Sequence, residues 1–398
     1  MLTHRLRTVV RWLTACCSIG RRPAAALLSL ARLPVFWGRR PAGYQGDVWI
    51  LLPASATTLR CGLAGLISIQ RQPAAPLTDD PATLQALFEQ IQTHAMGRCL
   101  QKQLPLTEHY LGGDQALDRL YAGVCDAKQE YRFLPLFADR PLQERLTAWS
   151  DQLTALAQQE SRAFEQQVGY LSTTDAETAD RRIEKLKDAA WCLKAEVLEN
   201  ITTTRALMPE GERNPPAHVV KVYYNLNTVL NSIDHLEVRG RDSAGVSLLF
   251  LLTPAALAAL QAAWAADGLD DEVRQRTSQP LLGNRAIAIH AHETSGLTGI
   301  TLTYKVAAEI GSLGDNVRQL RREIARDPVL HRVTHQPHDF HTVSAHTRWA
   351  SVGAITIANC HPLDNATTRQ GCGEKGMIHA CLNGDIDNHL ALKQQWEQ

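Results

Sequence analysis

From Leu142 to Leu207 apolar residues recur at three- and four-residue spacing through two long segments, LQERLTAWSDQLTALAQQESRAFEQQV and ETADRRIEKLKDAAWCLKAEVLENITTTRAL. That period commits the backbone to helices, because residues so spaced share one helical face. STTD, between the segments, supplies capping residues, so an antiparallel helical hairpin is expected. The same texture extends from about 75 to 235. Asp80-Pro81 offers a cap and a first-turn proline before ATLQALFEQIQTHAM, and NPP at Asn214–Pro216 separates the hairpin from HVVKVYYNLNTVLNSIDHL. A charged hairpin of this length reads as a structural insertion or an oligomer contact rather than a catalytic element.

The flanks differ. The first sixty residues hold nine arginines, no lysine and no acidic residue before Asp47, so they read as a removable leader or a mis-start segment rather than a folded domain. From about 237 short strands alternate with helices. GVSLLFLL, RAIAIHAH, LTGITLTY, GAITIA and MIHACL are expected strands, TPAALAALQAAWAA is a helix capped by Thr253, and KVAAEIGSLGDNVRQLRREIARD is a helix interrupted near Gly311 and Gly314. This part is therefore expected to be α/β or α+β.

Across all 398 residues, 41 basic and 41 acidic side chains balance, which gives no electrostatic argument for a nucleic-acid partner. No uninterrupted apolar run reaches membrane-spanning length, so no membrane partner is expected. Nine scattered cysteines without a C-x-x-C pair fit reduced thiols and a cytoplasmic location.

Three places could carry chemistry. Cys61 stands before Gly62 at the head of an apolar run. A thiol needs a base, and an N-terminal cysteine has one in its own α-amino group. Asn383-Gly384 could provide a side-chain amide and an exposed backbone N–H for an oxyanion. Arg348 could hold a carboxylate through two parallel bonds.

The order of six blocks carries a resemblance. CGLAGLI, VRGRDSAGVSLL, KVAAEIGSLGDNVRQL, AHTRWASVG, NCHPLDN and LNGDIDNH follow one another as in class II glutamine amidotransferase domains, and the chain most resembles the glutamine–fructose-6-phosphate aminotransferase family and its large sugar-isomerase-domain relatives. The resemblance implies an α+β fold, a four-layer αββα sandwich of the N-terminal-nucleophile hydrolase type. It assigns 61–74 and 236–398 to that domain, 75–235 to a helical insertion and 1–60 to a leader. Cys61 would be the nucleophile, with Asn383 and Gly384 as oxyanion donors. Arg348 would bind the glutamine carboxylate, and Trp349 and Ser351 would lie on the loop closing over it. Arg239, Gly240, Asp242 and Ser243 would shape the site. Ammonia would pass to a sugar phosphate, fructose 6-phosphate, held by a separate isomerase domain. No cofactor or metal is implied, and a homo-oligomer is compatible.

The chain departs from the family pattern in four ways. Val352 stands where a histidine is common, and Ser351 where a threonine is. Cys61 follows sixty residues whose removal would free its nitrogen. The helix and strands expected after the Asn-Gly turn, with the aspartate that holds the substrate ammonium, are read as missing. A catalytically silent module with the same fold is therefore the competing expectation. Cys360, His361, Cys372, His379 and Cys381 match no zinc spacing and are read as core or surface residues. His331, His335, His338 and His341 are read as a solvated loop.

Overall fold

The computed structural model describes residues 48–51, 61–69, 81–279, 283–292, 295–307, 312–350, 353–364, 379–383 and 388–396. The chain divides into two compact units, Arg71–Asn227 and Met1–Gln70 with Thr228–Gln398. The protein is α+β, with many helices and an antiparallel sheet.

The Arg71–Asn227 unit is helical. Its elements are α1 (Pro81–Gln92), α2 (Met96–Gln101), α3 (Leu106–His109), α4 (Gly113–Asp126), α5 (Glu130–Ala138), α6 (Arg140–Gln167), α7 (Thr173–Trp191), a π-helical segment (Cys192–Glu199) and α8 (Asn200–Arg205); α9 (Ala217–Leu236) starts here and continues past Asn227. In α6 the buried stripe is Leu146, Trp149, Leu153, Leu156 and Ala157, and in α7 it is Ala179, Ile183, Leu186 and Ala190. These stripes face each other in the hairpin. Asp139 caps α6 by accepting from the Leu142 N–H at 2.9 Å, and Ser172 caps α7 by accepting from the Asp175 N–H at 3.1 Å. Arg182 is buried in α7. It donates to the carbonyls of Leu106 at 3.0 Å, Thr107 at 2.6 Å and Tyr110 at 2.7 Å, which satisfies the orphan end of the one-turn helix α3.

The other unit is built on a six-stranded sheet. Its strands are β1 (Val48–Leu51), β2 (Gly62–Ile69), β3 (Ser243–Leu252), β4 (Ala286–His292), β5 (Leu297–Ala307) and β6 (Phe340–Arg348), in the order β1-β2-β6-β3-β5-β4 with every pair antiparallel. One face is apolar. Leu66, Val343, Ala345, Val246, Leu248, Leu302 and Tyr304 are buried there, and α10 (Pro254–Ala266) and α12 (Asp315–Ala325) pack on it. α11 (Asp270–Ser278) lies against β4, and α13 (Pro328–Thr334) lies against α10. The opposite face is mixed: Leu63, Ile67, Leu249 and Leu251 lie on it, but around Gly245, Ser247, Thr303, Lys305 and His346 it is small and polar. A two-stranded pair, β7 (Leu363–Asp364) with β8 (His379–Ala380), accompanies the strap of residues 360–364 over this face. A Cβ on Gly245 would come within 2.1 Å of the His361 carbonyl oxygen, so only glycine admits the strap. A last helix, α14, spans His389–Trp396. Among the described residues this unit has a helix layer, a large sheet and a two-stranded layer. No helix among them is long and apolar enough to cross a membrane.

Several expectations need correction. GAITIA is not a strand: Ile357–Asn359 is a 3-10 turn, its start fixed by the Thr356 hydroxyl accepting from the Asn359 N–H at 3.3 Å. MIHACL shortens to His379–Ala380 among described residues. KVAAEIG does not open a helix, because Lys305–Ala307 complete β5 and the helix starts at Asp315. A helix does follow Asn383 in the chain, at His389–Trp396. Residues 48–51, expected in a leader, pair with β2. The histidines are not a solvated loop. His331 lies in α13, and His341 is buried in β6 with its ring 6.0 Å from that of Phe250.

Candidate functional site

Three strand ends assemble the site. Gly62 pairs with Thr347 and Ser243 with Arg348, so the start of β2, the start of β3 and the end of β6 meet at one edge. Cys61 immediately precedes β2. The Trp349 N–H points to its Sγ at 3.4 Å, and that Sγ lies 3.9 Å from the Trp349 carbonyl oxygen. Gly62 is required here. A Cβ on it would lie 2.4 Å from Cβ of Leu236 and 2.7 Å from Oγ1 of Thr347, the atom that accepts from the Gly62 N–H at 3.2 Å.

Asp242 holds the turn after β6. Its N–H donates to the Arg348 carbonyl at 3.1 Å, and its carboxylate accepts from the Ala350 N–H at 2.6 Å. Arg348 donates to the Ala354 carbonyl at 3.2 Å, and Trp349 is half-exposed. The side-chain amide of Asn383 donates to the Cys61 carbonyl at 3.1 Å. The structure thus gathers Cys61, Asp242, Ser243, Arg348, Trp349 and Asn383. Gly240 lies next to this cluster in the Glu237–Ser243 loop, and its N–H donates to the Glu237 carbonyl at 3.0 Å. Ser351, Gly384 and the side chain of Arg239 lie outside the described residues.

The supports of the site carry no recognisable sign in the sequence. Glu237 is buried, and its carboxylate accepts from the Gly314 N–H. Burial pushes its pKa up. Gly314 takes φ +84°, which suits glycine, at the N-terminus of α12. Asn316, two residues on, donates to the Arg241 carbonyl at 2.7 Å. The GDN of block three therefore pins the EVRGRD segment at Glu237 and Arg241, 77 and 75 positions earlier. His361 accepts from the Leu382 N–H at 3.3 Å, which anchors the segment bearing Asn383. His361 also lies against His346, ring centroids 4.6 Å apart. Burial above all, with His361 and Arg348 near His346 and with Arg348 and Lys305 near His361, holds His346 down to about 3 and His361 down to about 4, so both are neutral near pH 7.

Chemically, the cluster places a thiol at a strand end beside a carboxamide donor, with a guanidinium and an indole on the adjoining turn. No group of three or more His, Cys, Asp or Glu is placed to hold a metal among the described residues. No family model, curated protein or solved structure matches this chain.

Proposed function

We propose that this edge of the sheet is the glutaminase site of a class II glutamine amidotransferase of the N-terminal-nucleophile type. The observation that carries the reading is the convergence of Cys61 and Asn383, 322 positions apart, with Arg348 and Trp349 on the connecting turn. In this mechanism residues 1–60 are removed and the freed α-amino group of Cys61 takes the thiol proton. The thiolate attacks the side-chain amide carbon of glutamine. Asn383, with the Gly384 N–H, stabilises the developing oxyanion, the α-ammonium returns its proton to the leaving nitrogen so that ammonia departs, and water hydrolyses the thioester to glutamate and the free thiol. Arg348 binds the substrate carboxylate and Trp349 covers it. The ammonia then serves amination of a sugar phosphate, of which fructose 6-phosphate is the family's example.

One observation favours a silent module instead. β1 pairs with β2 ahead of Cys61, so the uncut chain carries an amide nitrogen at that residue. The two readings separate in one experiment. Protein whose first residue is Cys61 is assayed for glutamate and ammonia release from glutamine, beside the Cys61→Ala variant and the uncut chain. The amidotransferase reading expects activity in the first alone. Activity that persists in Cys61→Ala would falsify it, and a processed protein with no turnover supports the silent module.

A further inference from the structure

A second pair of thiols lies in the helical unit, apart from the proposed glutaminase site. Cys125 is in the last turn of α4, and Cys192 opens the π-helical segment. Their sulfurs are 3.7 Å apart although the residues are 67 positions apart. A disulfide needs about 2.05 Å between sulfurs, so the two sulfurs already touch and must close further on oxidation. The two cysteines are not equivalent. Cys192 is buried, while Cys125 is partly exposed to solvent. A π-helical turn is a rare element that frequently marks a functional site, and here it delivers the buried sulfur to the exposed one.

Charged and polar groups around the pair divide the labour. The Cys125 and Cys192 sulfurs share a hydrogen bond that either thiol can donate, and Tyr121 in the preceding turn of α4 and the Lys128 ammonium both favour the Cys125 thiolate. Lys128 is itself held by Glu196 of the π-helical segment at 2.6 Å. Together these outweigh burial and the Glu196 charge, and they pull the Cys125 thiol below the ordinary range. The hydrogen bond to Cys125, then burial, pushes Cys192 up and keeps it protonated.

We infer that Cys125 and Cys192 form a reversible oxidation site that takes a hydroperoxide as its oxidant. The Cys125 thiolate attacks the outer oxygen of the hydroperoxide. The O–O bond breaks, the remaining alkoxide or hydroxide takes a proton, and Cys125 becomes a sulfenic acid. The Cys192 sulfur then attacks the Cys125 sulfur, and the S–O bond breaks with loss of water. Two thiols and one hydroperoxide give one disulfide, one water and one alcohol, or a second water when the oxidant is hydrogen peroxide. A small thiol reverses the bond by exchange. A transient, sensing disulfide of this kind is compatible with a reducing compartment. The inference does not rest on the amidotransferase reading, since neither cysteine belongs to that site.

The test uses the full chain. Protein is treated with stoichiometric hydrogen peroxide, quenched, alkylated, digested and mapped by mass spectrometry. The expected product is a Cys125–Cys192 cross-linked peptide, lighter than the two thiol peptides by about two hydrogens and abolished by dithiothreitol. In Cys192→Ser, dimedone should trap the sulfenic acid at Cys125, and in Cys125→Ser, Cys192 should stay reduced. Iodoacetamide should label Cys125 at least tenfold faster than buried Cys99 near neutral pH, a comparison made in the unaltered protein that needs no variant to fold (about tenfold per unit of lowered pKa). Oxidation that leaves both thiols intact, or that joins Cys125 to another cysteine, overturns the inference. So does equal labelling of Cys125 and Cys99.

Discussion

Asp327 has no exposed surface, yet it remains charged. Burial alone would push its carboxyl up, but Arg276 donates to its two oxygens at 2.8 and 2.6 Å and Tyr304 donates at 2.5 Å, which together hold it below the usual carboxylate range. The same carboxylate caps α13, accepting from the N–H groups of Val329 at 3.0 Å and Leu330 at 3.3 Å. Asp327→Ala would leave the Arg276 guanidinium only Glu272 at 3.2 Å and the Arg285 carbonyl at 2.7 Å as partners, and would uncap the helix end at once. Breaking one side of a buried pair costs about 3–5 kcal/mol, and denaturant unfolding of this unit should show that loss. Replacing Arg276 and Asp327 together by apolar residues should cost clearly less, since no charge is left unpaired. At the proposed site Arg348→Lys should raise the apparent glutamine KM by about tenfold with little change in kcat, because an ammonium cannot make the forked contact. A KM equal to that of the unaltered protein would remove Arg348 from substrate binding.

At the scale of elements, the strap over the polar part of the sheet face invites a direct perturbation. Gly245→Ala places a methyl group where the His361 carbonyl sits, and the Cys360 sulfur lies 3.3 Å from the same point. The strap must lift, and with it the Leu382 N–H that His361 holds. We expect thermal stability to fall and glutamine turnover to drop together, whereas Gly97→Ala, in helix α2 with open space around it, should leave turnover unchanged and stability unchanged or raised. This coupling also marks what was legible in the sequence. The hairpin α6–α7 could be read because its apolar stripes keep helical spacing over many turns, and the cap at Ser172 announces the second helix. β6 could not. FHTVSAHTR buries His341 and Thr347 on one face and His346 on the other, so no alternation of apolar and polar residues marks it. β1 was hidden by the arginine-rich composition around it. The site residues could be named because they lie in short ordered blocks, but their supports could not. Glu237, Gly314 and Asn316 act across 75 to 77 positions, and nothing local in EVRGRD or GDN announces the pairing.

At the scale of the whole chain, the two units should respond differently to mild acid. The sheet unit buries His346 and His361 as neutral rings, held down to about 3 and about 4, and burial lowers His379 as well. An unfolded histidine titrates near 6.5. Between that value and the folded values the unfolded chain binds protons that the folded unit refuses. The contribution of these rings to stability is therefore complete above about pH 6.5 and is lost as pH falls towards 4 and 3. Glu237 in the same unit works the other way, since its raised pKa favours the folded form as pH drops, but it is one group against three. The helical unit carries a carboxyl raised by burial, Glu160, which accepts from the Met96 N–H at 2.8 Å. Asp114, held low by Arg182 and Arg181, loses its contribution only below the ordinary carboxylate range. Scanning calorimetry from pH 7 to pH 5 should show the sheet unit's transition moving to lower temperature while that of the helical unit stays or rises. The stability of the sheet unit should fall as pH drops over this range, and His346→Gln should reduce the slope by about one proton. Two transitions that fall in parallel, or a slope unchanged by His346→Gln, would mean that the buried rings are not what ties this unit's stability to pH.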